Sequence, residues 1–338
     1  MDLVTGAAGH LGNLLVRELL GRGRRVRAMV LPGEPLRSLE GLDLELVEAD
    51  VLDVSSLERA MRGIDVVYHL AGVISITRGD ERRMWQVNVD GARNVARVAL
   101  RSGVRRMVHV SSIHALAYRP GGAVDERAPL ALDASPHSYD RTKAEGVRAV
   151  LEVVRGGLDA VIACPTGIIG PHDYLGSLMG RVIRGFTSKR VHFIVDGAFD
   201  FVDGRDVARG LILLAERGRT GEAYILSGTR VRLRELAHLV GEMSGRRACC
   251  IVVPRGLALV AATVWETVAR LARVKVEFTR YAVRTLTEGC TFSSAKARDE
   301  VGYTSRPLQE TLADTVRWWR DISHRMSVAG VRGCVLSA

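Results

Sequence analysis

The stretch "TGAAGHLG", Thr5 to Gly12, decides the fold. It follows a short apolar run, "DLVT" (Asp2 to Thr5), and opens a segment from Leu11 to Leu20 with helical spacing of its apolar residues. Between the two, Gly6, Gly9 and Gly12 recur every third residue. Glycines allow a tight turn and let the backbone approach a pyrophosphate resting on the helix amino terminus, where unpaired N–H groups and the dipole favour anions. The spacing is not the usual GxGxxG, and a plain strand-to-helix turn also uses glycine, so the position between strand and helix gives the motif its weight. Gly6, Ala8, Gly9, His10, Leu11 and Gly12 are the expected backbone of a dinucleotide site.

Outward from this turn the first half alternates β-branched runs with helical patterns. "RVRAMV", "LELVEAD" and "DVVYHLAG" follow as strands, then a helical stretch "RRMWQVNVDGARNVARVALRSG", the strand "RMVHVSS", a loop rich in Pro and Gly, a helix through Tyr139, and the strand "LDAVIACP". Alternation of this kind implies βαβ units and at least six parallel strands, the doubly wound α/β arrangement. After Pro165 the pattern loosens. A further strand near "EAYILSG", a helix from Leu233 to Met243, an apolar helix and a closing segment "PLQETLADTVRWWRDI" suggest a smaller cap on the carboxyl edge of the sheet. The expected division is a dinucleotide-binding domain over 1–165, a partly interleaved substrate-binding cap over 166–324, and a disordered tail over 325–338.

The 338 residues are 47% apolar and 25% charged, an ordinary globular composition. The net charge of +10 comes from scattered residues, and only 5% of the chain is aromatic, so no stacking platform for nucleic acid is present. An anionic cofactor or substrate accounts for the charge as well. The five cysteines show no CxxC pair and read as reduced cytosolic thiols; no metal set is expected. "CVLSA" misses the prenylation pattern by one position, no secretory signal precedes the first strand, and a cytoplasmic protein is expected. The most apolar segment, Gly256 to Trp265, is interrupted by Glu266 and Arg270 and is too short to cross a bilayer. A helix covering a substrate cleft is the expected use of residues 256–272. Arg255, Arg270, Arg273 and Lys275 sustain the alternative of membrane-surface contact.

"SYDRTK", Ser138 to Lys143, carries the chemistry. Tyr139 and Lys143 lie four apart on a helix and share a face, and an ammonium one turn from a phenol is one way to bring its pKa, near 10, towards use at neutral pH. Ser111 and Ser112 end the preceding strand at the edge where doubly wound sheets place ligands, positioned to donate to a carbonyl oxygen or to cap the strand end. The second strand supplies no acid before Glu34, which disfavours NAD, while Arg27 or Arg37 would suit a 2′-phosphate. The cofactor choice is open between NAD and NADP, with a slight lean to NADP. Asp50 is placed either to accept from an adenine amino group or to serve as a turn carboxylate.

"TGAAGHLG", "HLAG", "NVDGARNV", "VSS", "YDRTK" and "CPTGIIGP", in this order over nearly the whole chain, resemble the extended short-chain dehydrogenase/reductase superfamily. Within it the chain looks most like the reductases related to dihydroflavonol 4-reductase and 3β-hydroxysteroid dehydrogenase. The resemblance implies a Rossmann sheet, NAD or NADP, a small-molecule substrate, a homodimer formed through the helices holding Asn88 and Tyr139, and Ser112, Tyr139 and Lys143 as the catalytic set. Tyr139 would exchange the proton, Ser112 polarise the substrate oxygen, and Lys143 lower the tyrosine pKa and hold the nicotinamide ribose. It also implies cofactor contacts at Asp50, Val51, Leu70, Ala71, Gly72, Asn88, Pro165, Thr166, Gly167 and Ile168, and substrate contact at His114. Many relatives carry an arginine where Leu31 stands. Nucleotide-sugar enzymes usually carry one where Phe199 stands, a ring that points instead to an apolar carbonyl or alcohol substrate. An epimerase or dehydratase of a nucleotide sugar is the alternative, and a non-catalytic dinucleotide sensor a second one.

Overall fold

A computed structural model describes residues 1–76, 79–133, 135–188, 191–246, 249–272 and 278–328. Arg273, Lys275 and Cys334 lie outside the described residues. Seven strands, β1 (Asp2–Thr5), β2 (Val26–Val30), β3 (Glu45–Glu48), β4 (Val66–His69), β5 (Arg106–Val110), β6 (Ala160–Pro165) and β7 (Ala223–Leu226), form one sheet. All neighbours are parallel and the spatial order is β7-β6-β5-β4-β1-β2-β3. The chain reverses its direction of winding between β1 and β4, which opens a crevice at the carboxyl ends of these strands.

Alternation along the strands divides the core into two layers. Leu3, Met29, Val67, Met107 and Ile162 face one layer with the helices Ala92–Arg101 and Ser138–Arg155. Val4, Ala28, Tyr68, Val108 and Val161 face the other, with the helices His10–Gly21 and Gly204–Arg217. Strands buried on both faces are what helices on either side of a parallel sheet require. The second half of the chain thus returns β7 and the helix Gly204–Arg217 to the sheet before completing the cap.

The cap has its own core, in which Ile183, Phe201, Val231, Leu236, Val240 and Leu312 are buried. Its helices include Leu233–Met243, as the apolar spacing predicts, Arg255–Ala272, Arg280–Thr287 and Leu308–Val328. The last of these runs past Arg325, where the sequence suggests the tail begins.

One departure from the expected helical stretch matters for the site. Glu81–Trp85 and Ala92–Arg101 are α-helical, but Gln86–Gly91 between them is π-helical. A π-turn inserts a residue into the helical ladder and often marks a functional position; here it carries Asn88.

Candidate active site

The glycine turn is tight for reasons of contact. Gly6 has φ +66°, and a Cβ there would stand 2.9 Å from the Ala71 backbone nitrogen. A Cβ on Gly12 would run into the Gly6 carbonyl oxygen. Ala8 is buried, and its carbonyl accepts from the Ser38 hydroxyl at 2.8 Å. The helix His10–Gly21 starts at Gly9 with no side-chain cap, so its first N–H groups are left to an anion. His10 reaches the Pro171 carbonyl at 3.0 Å, and Asn13 bonds the carbonyls of Gly9, His10 and His172, tying the helix start to the loop after β6. Asn13 was not legible as a site residue from the sequence.

Thr5, at the end of β1, accepts from the N–H groups of Leu70 and Ala71, both at 3.1 Å, which brings the Leu70–Gly72 loop over the glycine turn. Asn88 is held at both ends of its amide: it accepts from the Val73 N–H at 2.8 Å and donates to the Val73 carbonyl at 2.9 Å and to Thr142 at 3.2 Å. Its role in the structure is to clamp this loop to the tyrosine helix. Asp50 accepts from the Leu52 N–H at 2.9 Å, the turn role, while buried Val51 is bonded through its carbonyl to Asn94.

Arg27 does not serve a nucleotide. It lies near the amino end of β2, away from the crevice, and bonds Glu45 and the carbonyls of Ala60 and Arg62. At the carboxyl end of β2, Leu31 is exposed and its N–H donates to the Glu34 carboxylate at 3.0 Å. A carboxylate therefore stands near the end of β2, where dinucleotide sites hold the adenosine ribose.

Ser112, Tyr139 and Lys143 come together at the carboxyl end of β5. Tyr139 is buried beside Ser112, whose hydroxyl accepts from the His114 N–H at 3.2 Å. Burial pushes the Tyr139 phenol up to about 12, the Ser112 hydroxyl opposes the shift, and Asp140 adds to it. The expected lowering is thus not what the geometry yields: the Lys143 ammonium donates to the Val110 carbonyl at 3.1 Å, and burial pulls its own pKa down to about 8. Ser111 turns to the Lys143 carbonyl at 3.5 Å.

Gly167, on the strand following Pro165, lies under Phe199: a Cβ there would come within 2.7 Å of the ring. Thr166 donates to Asp200 at 2.6 Å, and Ile168 packs near Gly204. Phe199 stacks on His114, with ring centroids 6.3 Å apart, and His114 meets Tyr139 edge-on at 5.8 Å. Arg205, a guanidinium a few residues after Phe199, is taken up by Asp203 and Asp314.

The cap adds residues that no motif announced. Tyr281, on Arg280–Thr287, donates to Asp140 at 2.6 Å and lies 3.0 Å from His114 Nδ1. Since the phenolic proton goes to Asp140, His114 is the donor in the second bond. Tyr281, Asp140 and His137 also line a cavity of about 150 Å³ with Arg284 and Glu288 from the cap.

A strand, a glycine turn with a bare helix start, and Ser112, Tyr139 and Lys143 gathered at the carboxyl end of β5 are the features of a nicotinamide-dinucleotide oxidoreductase of the short-chain type. Residues 3–227 match the model of the NAD dependent epimerase/dehydratase family, to which the chain belongs. It is 36% identical to the "Sterol demethylase protein B" of Methylococcus capsulatus, over 94% of this chain and 98% of that one. It is 29% identical to a "Putative dihydroflavonol 4-reductase" of Synechocystis sp., covering 94% of each. Among solved structures, gox2253 aligns with a TM-score of 0.82 at 30% identity, covering 95% of this chain and 98% of that one.

Proposed function

We propose that the protein interconverts a carbonyl and an alcohol on a largely apolar small molecule, with Tyr139 as general acid and base. The observation that carries this reading is the burial of Tyr139 beside Ser112, with Lys143 one helical turn on. The bare helix start and the glycine turn fit a dinucleotide pyrophosphate, and Leu70 to Gly72 and Pro165 to Ile168 border the same crevice. When bound, the nicotinamide supplies or takes up the hydride. The protein's own residues handle the proton. With its pKa raised, Tyr139 is a phenol at neutral pH and passes its proton to the substrate oxygen, to which Ser112 also donates. Lys143, cationic at pH 7, faces the phenolate left behind.

Phe199 and His114 supply an aromatic wall beside Tyr139, and Arg205 is already paired, which favours an apolar substrate over a nucleotide sugar. The name of the Methylococcus relative supports the same substrate class. For the cofactor, Glu34 would repel a 2′-phosphate and Arg27 is turned away, so the lean of the sequence is revised and NAD is our choice. We also propose a cytoplasmic homodimer, its interface formed by the helices of Asn88 and Tyr139; the four described cysteines are unpaired.

The test is oxidation of NADH and NADPH by the purified protein with a panel of apolar ketones and aldehydes, beside Tyr139→Phe. Consumption of NADH that the variant loses supports the reading. Tight binding of NADH with turnover of UDP-sugars but none of ketones would replace it with the epimerase alternative. Binding without any turnover would leave the sensor.

A further inference from the structure

The helix Arg255–Ala272 is built inside out. Its small residues Ala258, Ala262 and Ala269 are buried against the body of the protein. Its large apolar residues Leu257, Val260, Val264, Trp265 and Val268 face outward and are 49% to 64% exposed. At 100° per residue these five span an arc of about 140° in which Ala261 and Ala272 are further described residues, and neither carries a charge. A surface helix of a soluble protein reverses this pattern.

We infer that this face docks on an anionic lipid surface. Three observations choose that occupant. First, exposed cations stand outside the arc, Arg255 at the start of the helix and Arg284 on the neighbouring helix, in a chain of net charge +10. Apolar residues flanked by arginines match acyl chains beneath anionic headgroups. Second, the helix face by itself is smaller than a second copy needs. Eighteen residues give a strip about 27 Å long and about 10 Å wide, roughly a third of the ~800 Å² per partner of a stable dimer. Third, the exposed apolar surface continues beyond the helix. The strand Cys249–Val253, which leads through Pro254 into the helix, carries exposed Ile251, and this pairs in register with Phe193, 74% exposed, on the strand Val191–Val195. No described helix is long and apolar enough to cross a membrane, so the attachment is a peripheral one.

The inference stands apart from the chemistry proposed for the site. It also gives residues 256–272 a use other than a lid. The full chain would be sedimented with vesicles of phosphatidylcholine mixed with phosphatidylglycerol, and with pure phosphatidylcholine vesicles. Expected are binding to the anionic vesicles that weakens with added salt, a blue shift of tryptophan emission that Trp265→Phe removes, and a loss of roughly tenfold or more in partitioning for Val260→Asp/Val264→Asp. Since both valines are exposed, that variant should keep its melting temperature. No binding to either vesicle overturns the inference, as does binding that the double variant retains. A vesicle-free dimer seen by light scattering, and split by the same substitutions, would overturn it in favour of a second copy.

Discussion

Tyr281 on the cap donates a 2.6 Å hydrogen bond to Asp140, the residue directly after Tyr139. Asp140 is further held by the Ser135 hydroxyl at 2.7 Å, so one carboxylate joins the cap, the loop before the tyrosine helix and the first turn of that helix. Tyr139, Tyr281 and Met84 pack as one buried cluster beneath this joint. The position of the cap and that of Tyr139, the proposed acid and base, are therefore coupled through two adjacent residues.

Tyr281→Phe should expose that coupling. Removing a donor from a carboxylate in a partly buried network costs about 1.5 to 3 kcal/mol, a factor of roughly 10 to 150. We expect the loss in kcat/KM, with kcat falling less than KM rises, and a retained fold by circular dichroism. An unchanged KM would show that the cap is held by other contacts.

The glycines of the turn should separate by geometry. Gly12→Ala drives a Cβ into the Gly6 carbonyl, and Gly6→Ala adds a left-handed φ to a 2.9 Å approach, so both should lose dinucleotide binding and destabilise the fold by about 1 to 3 kcal/mol. Gly9, with φ −67° and its nearest neighbour at 3.3 Å, should accept alanine with little loss. Thermal melts and quenching of NADH fluorescence on the three variants check the order.

How far the site was legible follows from where its residues lie. The glycine turn, the strand end Ser111–Ser112, Tyr139 and Lys143 are read from local spacing, because each lies at a strand end or on one helical face and local sequence dictates both; the choice of Ser112 over Ser111 comes from the family resemblance. The seven-strand sheet is legible for the same reason: β-branched runs alternate with helices. Tyr281, Asn13 and the His69–His109 pair are not, since their partners lie far along the chain and nothing in their neighbours marks the meeting. The π-turn at Asn88 hides inside a plausible α-helical pattern. Arg27 misled because strand register, not sequence distance from the glycines, decides which end of β2 a residue occupies. The direction of the Tyr139 shift depends on burial, which spacing alone does not report.

The pH profile of reduction should reflect Lys143. Its pKa is pulled down to about 8 by burial, so the ammonium one helical turn from the tyrosine is lost as pH rises through 8, while Tyr139, near 12, keeps its proton throughout. We expect kcat/KM for ketone reduction to fall above about pH 8 and Lys143→Arg to move that limb upward. A profile flat to pH 10 would remove the ammonium from the chemistry.

Cofactor preference should turn on Glu34. Its carboxylate lies at the end of β2 with Leu31 in place of a cation. Glu34→Arg should improve kcat/KM with NADPH by an order of magnitude, at about 1.4 kcal/mol per tenfold, and weaken NADH. The same ratio in variant and wild type would show that Glu34 does not face the ribose.

His69 and His109 should make the protein sensitive to acid. The rings stack 5.3 Å apart behind Lys143, on adjacent strands β4 and β5. Thr5 accepts from two N–H groups and so donates to His69 Nδ1 at 2.8 Å, leaving the proton of the neutral ring on Nε2. That nitrogen and His109 Nδ1 are buried with no protein partner among the described residues. Burial, first of all, holds His69 down at about 3 and His109 well below the usual range, with Lys143 adding repulsion in both cases. Below pH 6.5 the unfolded chain takes up protons that the folded one refuses, so stability falls as pH drops from 6.5 towards 3. Two histidines give a slope of up to about 2.7 kcal/mol per pH unit, and a fall of a few kcal/mol between pH 7 and 5 is expected. Urea melts at the two pH values measure it. His69→Gln, which cannot titrate, should remove one histidine's share of the slope, up to about 1.4 kcal/mol per pH unit, even if it lowers stability at pH 7, and an unchanged slope would mean that His69 takes up its proton in the folded state.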